Sequence, residues 1–288
     1  MAETQAQPHA FLRSLVQQAR DLEPDFPSPD DFQRLGIKAF QVSLAPENDK
    51  GLQFEPCFFR PHPDKLFQKY PIYPFALGCD PQEMQYSETL KDFIKDALTE
   101  HSPANALIVA RMEYEFEARL PPERDPFIHA EDYGMLNINL TIRSPDRREN
   151  DPPTYEGFGD PKPWRVINHC RYTSRPGKPH SIMSCIAQVW PDTSQGLTSH
   201  ELRAIVNMML LRVNHKPFRR CHIHPILVLS FMGDHQGRII QASYDGKGLI
   251  LQYSQLWSFE DIKKAPVELF VRYRLSQTVG GIRTLSLR

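Results

Sequence analysis

The chain is poor in glycine, has no long apolar run, and carries almost no net charge. No stretch approaches the roughly 20 consecutive apolar residues that span a bilayer, so no membrane partner is expected. Met1 to Pro8 is polar and lacks the basic-then-apolar order of a secretory signal, so a cytoplasmic protein is expected. The five cysteines, Cys57, Cys79, Cys170, Cys185 and Cys221, are odd in number and widely spaced. They form no Cys-x-x-Cys pair, which argues against a disulfide framework, a disulfide-linked partner and a four-cysteine zinc knuckle. There is no Gly-x-x-x-x-Gly-Lys-Ser/Thr loop, no Gly-x-Gly-x-x-Gly fingerprint and no Gly-x-Ser-x-Gly elbow. Nucleotide hydrolysis, nicotinamide chemistry and the common serine hydrolase fold are disfavoured accordingly.

The net charge of -1, from 34 basic and 35 acidic side chains, excludes disorder driven by self-repulsion and a uniformly basic nucleic-acid binder. The average hides an uneven distribution. Residues 1–135 carry 13 basic and 23 acidic side chains, a balance of -10. Residues 162–222 carry 10 basic side chains against Asp192 and Glu201, a balance of +8. Such asymmetry points to charged partners.

With 288 residues the chain can bury a full core. Phe11, Leu12, Leu15, Val16, Ala19 and Leu22 recur at helical spacing, and Pro24 stops the run. Ser28 followed by Asp31 reads as the cap of a short second helix, closed by Gly36. Residues 37–44 and 52–59 read as strands, the second demoted to an edge or irregular strand by Pro56. Residues 61–81 alternate prolines with aromatics and read as a loop packed on the body. Residues 85–100 read as an amphipathic helix. Strict alternation over 106–120 and 135–143 predicts two neighbouring strands with apolar inner faces. Residues 144–163 read as a mobile loop. Strands are expected at 164–172 and 181–190, and a helix at 198–213 with Thr198 or Ser199 as its cap and Glu201 in its first turn. An antiparallel meander follows: 223–232, 238–244, a turn at Asp245-Gly246, 249–254, and a last strand at 267–275. The fold class expected is α+β, a largely antiparallel sheet with helices packed on one face. An N-terminal helical arm (1–36) would precede a single α+β catalytic domain (37–288).

Four patterns carry possible chemistry. Glu113, Glu115 and Glu117 share one face of a strand, and Asn137 and Asn139 lie on the polar face of its expected neighbour. Like charges about 7 Å apart need a cation between them. A guanidinium or ammonium substrate would supply one; so would Arg111, Arg119 and Arg143 on a solvated face. The second pattern is basic. Arg165, Arg171, Arg175, Lys178, Arg212, Lys216, Arg219 and Arg220 are interleaved with Trp164, Tyr172 and Phe218, which suits RNA. Pairing with the acidic half would explain the same charges. Third, Ser184, Cys185, His180 and His169 are the candidate nucleophiles and bases within or beside the basic segment. Fourth, Cys221-His222-Ile223-His224 places two imidazoles on a strand without a clear third ligand and reads as ordinary strand histidines. No metal or cofactor is expected.

His224–Ser230, Gly237–Gly246 and Pro266–Tyr273 resemble a block of filamentous-fungal secondary-metabolism proteins of the arginine-containing cyclodipeptide synthase type. The resemblance lies in scaffold segments and carries over no catalytic residue. It implies a cytosolic, acyltransferase-type enzyme that takes amino acids from charged tRNA and closes an arginine-containing diketopiperazine. Two readings stand beside it: a tailoring enzyme that uses no tRNA, such as a cyclase or transferase, and a non-catalytic binding protein.

Overall fold

The structure, a computed structural model, describes residues 3–23, 25–44, 54–61, 138–141, 164–172, 178–187, 189, 196–214, 218, 221, 223–232, 236–244, 248–259, 264–274 and 276–279. Its elements, in chain order, are α1 (Glu3–Arg20), α2 (Pro29–Arg34), β1 (Ile37–Gln41), β2 (Phe59–Arg60), β3 (Ile138–Thr141), β4 (Trp164–Tyr172) and β5 (Ser181–Ala187). They continue with α3 (Ser199–Asn214), β6 (Ile226–Met232), β7 (Gln236–Tyr244), β8 (Leu249–Tyr253), β9 (Trp257–Ser258), α4 (Val267–Arg274) and β10 (Gln277–Thr278). The expected elements at 85–100, 106–120 and 144–163 lie outside the described residues.

The protein is of the α+β class. One sheet runs in the order β1-β8-β7-β6-β5-β4-β3, with β9 added to β7. The β3–β4, β4–β5, β6–β7 and β7–β8 pairs are antiparallel. The β5–β6 and β1–β8 pairs are parallel. The antiparallel β6–β7 and β7–β8 pairs join strands only a few residues apart in the chain, which suits antiparallel neighbours. The parallel β5–β6 pair needs a crossover, and α3 provides it.

Local chemistry fixes the helix ends. Ser28 Oγ accepts from the Asp31 amide, while Asp31 accepts from the Ser28 amide at 2.8 Å, so α2 begins with a reciprocal capping box. Gly36 closes α2 at φ +69°, a left-handed conformation that favours glycine. A second close approach follows: a Cβ on Gly248 would stand 2.7 Å from the Gly36 carbonyl oxygen, so β1 enters beside β8 only with glycine there. Arg203 of α3 caps the far end of α1. Its guanidinium donates to the carbonyls of Ala19 at 2.9 Å and Leu22 at 2.6 Å.

The core has two layers on opposite faces of the sheet. On the first face, Leu12, Leu15 and Ala19 of α1 and Phe32 of α2 join Ile205, Met208 and Met209 of α3 over Met183, Val228, Ile240 and Leu251. The N-terminal helical arm is thus packed into the main core. On the second face Phe270 lies 5.6 Å from Phe231 and 5.0 Å from Phe259, and Phe54 lies 5.8 Å from Tyr273. With both faces covered, β6 is buried along its whole length and reads ILVLSFM, apolar but for Ser230.

Two expectations need correction. Residues 267–275 alternate like a strand, but Val267–Arg274 form the helix α4, because Phe270 and Tyr273, three residues apart, reach the aromatic cluster together only on a helix. Residues 54–58 form no strand; only Phe59–Arg60 pairs, with β10. Pro56 lacks the amide that a ladder needs. Side-chain amides take the ladder's place. Gln241 of β7 accepts from the Phe58 amide at 2.9 Å and donates to the Pro56 carbonyl at 2.8 Å. Gln252 of β8 accepts from the Glu55 amide at 3.0 Å.

Candidate functional site

Two of the candidate catalytic side chains, Ser184 and Cys185, lie on β5, and strand parity divides them. Ser184 and Cys185 are neighbours on one strand, so they stand on opposite faces. Each face carries its own buried polar centre.

Cys185 belongs to the first face. It is buried beside Ser230 and α3, and its thiol is pushed up to about 12, first by burial and then by the Glu201 carboxylate. A thiol held neutral is a poor nucleophile, which counts against Cys185 as an attacking group. The same face holds an unforeseen ion pair. Arg238 Nε donates to Glu201 Oε1 at 2.9 Å, with both side chains fully buried. Arg238 Nη2 also donates to the Gly196 carbonyl at 2.7 Å, and its guanidinium lies 5.6 Å from the Tyr253 ring centre. Glu201 Oε2 accepts from the Thr198 amide at 2.8 Å, closing the expected capping box of α3. Thr198 is therefore the cap. Every contact named here is internal, and the group reads as a fastener between α3 and β7.

Ser184 belongs to the second face. Its hydroxyl is buried and accepts from Arg274 Nη1 of α4 at 3.2 Å. Directly across the β4–β5 pair stands Asn168, beside a register shift between Val166 and Asn168. His169 occupies the next register position, opposite Met183. His180 precedes β5 by one residue and Ser184 by four, about 13 Å of extended chain. Its Nε2 lies 3.3 Å from the Val279 carbonyl, and its ring meets Phe59 edge-on at 5.4 Å. Burial lowers the His180 imidazole to about 3. It is a weak base at neutral pH, and the contacts described for it are with the Val279 carbonyl and the rings of Phe58 and Phe59.

The expected RNA-binding set separates in the same way. Arg212 does not reach outward. It is buried, donates to the carbonyls of Lys178 at 2.9 Å, Pro179 at 3.2 Å and His180 at 3.3 Å, and lies 4.4 Å from the Phe218 ring centre. Its charge serves three backbone carbonyls of the segment entering β5, so the guanidinium is turned inward. Lys178 Nζ donates to Thr278 Oγ1 at 2.8 Å and pins β10. Arg165 and Arg171 lie on β4, with Arg171 opposite Asn139 of β3. One member of the expected polar substrate surface is therefore paired with one member of the basic set. Arg175, Lys216, Arg219, Arg220, Glu113, Glu115, Glu117 and Asn137 lie outside the described residues. His224 is buried with Nε2 at 3.0 Å from the Cys221 carbonyl, and His222 lies outside the described residues.

Cys57, Cys185 and Cys221 are free thiols, and no disulfide joins described residues. No helix among the described residues is long and apolar enough to cross a membrane. Among these residues, no three His, Cys, Asp or Glu side chains are placed to hold a metal ion.

Sequence reasoning missed Arg238 and Arg274. Arg238 had a signal: it shares strand parity with Ile240, Ala242 and Tyr244, so a charge sat on an apolar face. Arg274 had none, because its segment was read with the wrong period.

No family model, curated protein or solved structure matches the chain.

Proposed function

We propose that this protein is an acyl-transfer enzyme that draws amino acids from aminoacyl-tRNA and closes an arginine-containing cyclodipeptide. The observation that carries the reading is the Ser184 hydroxyl, held by the Arg274 guanidinium next to β4 with its Arg165 and Arg171. In the proposed step Ser184 Oγ attacks the aminoacyl ester carbon. The ester bond breaks, the tRNA hydroxyl leaves with a proton, and the aminoacyl group rests on Ser184 as an ester. The amine of a second aminoacyl group then displaces Ser184, and the second ester is consumed in ring closure. Arg274 positions the hydroxyl. The Glu113, Glu115 and Glu117 row would hold the arginine side chain.

Expression in a host with intact aminoacyl-tRNA pools, followed by mass analysis, tests the proposal. New arginine-containing diketopiperazines are expected from the wild type and none from Ser184→Ala of equal yield. Product from Ser184→Ala at the wild-type level removes Ser184 from the reaction, and no product from either chain overturns the proposal.

The competing reading, a binding protein whose charged regions pair internally, is favoured at two positions. Arg212 and Lys178 both make internal bonds. Salt-sensitive tRNA binding supports the enzyme; no measurable binding at low salt supports its competitor.

A further inference from the structure

Among the described residues, β1 ends the sheet, pairs with β8 alone and presents an outer edge that takes no part in the sheet. The parallel register fixes which backbone groups are used. The Leu249 amide donates to the Gly36 carbonyl at 3.3 Å and the Val42 amide to the Tyr253 carbonyl at 2.8 Å. Alternation then turns Gly36, Lys38, Phe40 and Val42 toward β8, and the amides and carbonyls of Ile37, Ala39 and Gln41 outward. Among the described residues nothing bonds to those outward groups. Natural sheet edges are blunted by proline, bulges, covering segments or charge. This edge has one charge, Lys38. It also carries Phe40, 44% exposed and the one exposed large apolar side chain among the described residues.

We infer that β1 joins β1 of a second copy of this chain in an antiparallel, two-fold pair centred on Ala39. That register opposes Ala39 with Ala39 of the second copy and Ile37 with its Gln41, and uses every outward group of Ile37–Gln41, on the order of six hydrogen bonds. It also decides how the one charge is met. Each Lys38 lies across from the other copy's Phe40, so the ammonium faces an aromatic ring rather than another lysine. Pairing centred on Lys38 would oppose the two lysines directly. An isologous contact needs self-complementarity, and IKAFQ has it about its middle residue.

Light scattering coupled to size exclusion, at tens of micromolar chain, reads the outcome. The wild type is expected to run as a dimer. Ala39→Pro removes an outward amide that β8 does not use and is expected to run as a monomer with an unchanged circular dichroism spectrum. Phe40→Lys alters only an exposed side chain; it opposes two lysines and is expected to shift the dimer to monomer by at least tenfold in dissociation constant. Lys38→Glu added to Phe40→Lys restores opposite charges and is expected to restore the dimer. A monomeric wild type overturns the inference, and so does a dimer that persists in Phe40→Lys. A failure of the double variant to recover overturns the register.

Discussion

His180 makes this protein acid-sensitive by a calculable amount. The imidazole is 1% exposed, packed against Phe58 and Phe59, and lowered from 6.5 to about 3 chiefly by burial. Lys178, Arg212 and His224 push in the same direction, and the bond to Val279 opposes them. The unfolded chain therefore binds this proton more tightly between about pH 3 and 6.5. The contribution is complete above pH 6.5 and is lost as pH falls through that window. At pH 5 the loss is about 2 kcal/mol, roughly 1.4 kcal/mol for each unit below 6.5. Urea unfolding of the wild type and His180→Gln at pH 7 and pH 5 isolates the term. Glutamine keeps a donor for the Val279 carbonyl and does not titrate. His200 is also lowered by burial, but it is present in both proteins and cancels in the difference. The wild type should lose about 2 kcal/mol more than His180→Gln between the two pH values. Equal losses would refute the reasoning and would mean that His180 reaches solvent and protonates in the folded state.

Three further outcomes follow from buried polar groups. Arg238→Met strands the Glu201 carboxylate in the core and should cost about 3–5 kcal/mol in urea unfolding, with part of the loss recovered by adding Glu201→Gln. Gln241→Leu orphans the Phe58 amide and the Pro56 carbonyl and should cost about 1–3 kcal/mol, whereas Gln241→Glu should keep one of the two bonds at pH 7. Cys185 should resist a thiol-specific reagent at pH 8 in the native protein while the half-buried Cys57 and Cys221 react, and all three should react after unfolding; rapid native labelling of Cys185 would contradict its placement.

Local signals gave most of the framework. The cap pairs Ser28/Asp31 and Thr198/Glu201 are short-range, so they can be read without knowing the fold. The antiparallel β7–β8 pair, whose connecting residues 245–247 lie outside the described residues, is flagged by the Asp245-Gly246 signal for the same reason. The parallel β1–β8 pair is different. It joins residues about 210 apart in the chain, and no local pattern encodes it. The segment 267–274 failed in a third way. Its alternation and β-branched residues favour a strand, but packing of Phe270 and Tyr273 on the second face overrides that preference. The site was legible only as residue types. The basic and polar residue types at 162–222 are visible in the sequence, but residue type does not separate an Arg that reaches outward from Arg212, which is committed to three carbonyls.

The division of β5 decides where chemistry can sit. On the first face, Glu201 satisfies Arg238 and the α3 cap at once, and Cys185 beside it is held as a neutral thiol. A group so fully committed cannot also serve a substrate without breaking the bond between α3 and β7. The second face is built otherwise. Its segment 54–58 is attached to the sheet by glutamine side chains, not by a ladder, and its helix α4 reaches Ser184 through one guanidinium. Side-chain attachments can be remodelled one at a time, whereas a ladder opens only as a unit. The same reasoning separates the two arginines experimentally. Replacing Arg238 should lower stability; under the proposed acyl transfer at Ser184, Arg274→Lys, which keeps the charge but loses the planar fork, should lower diketopiperazine formation more than it lowers stability. Equal losses in both would place Arg274 with Arg238 as a fastener and move the chemistry off Ser184.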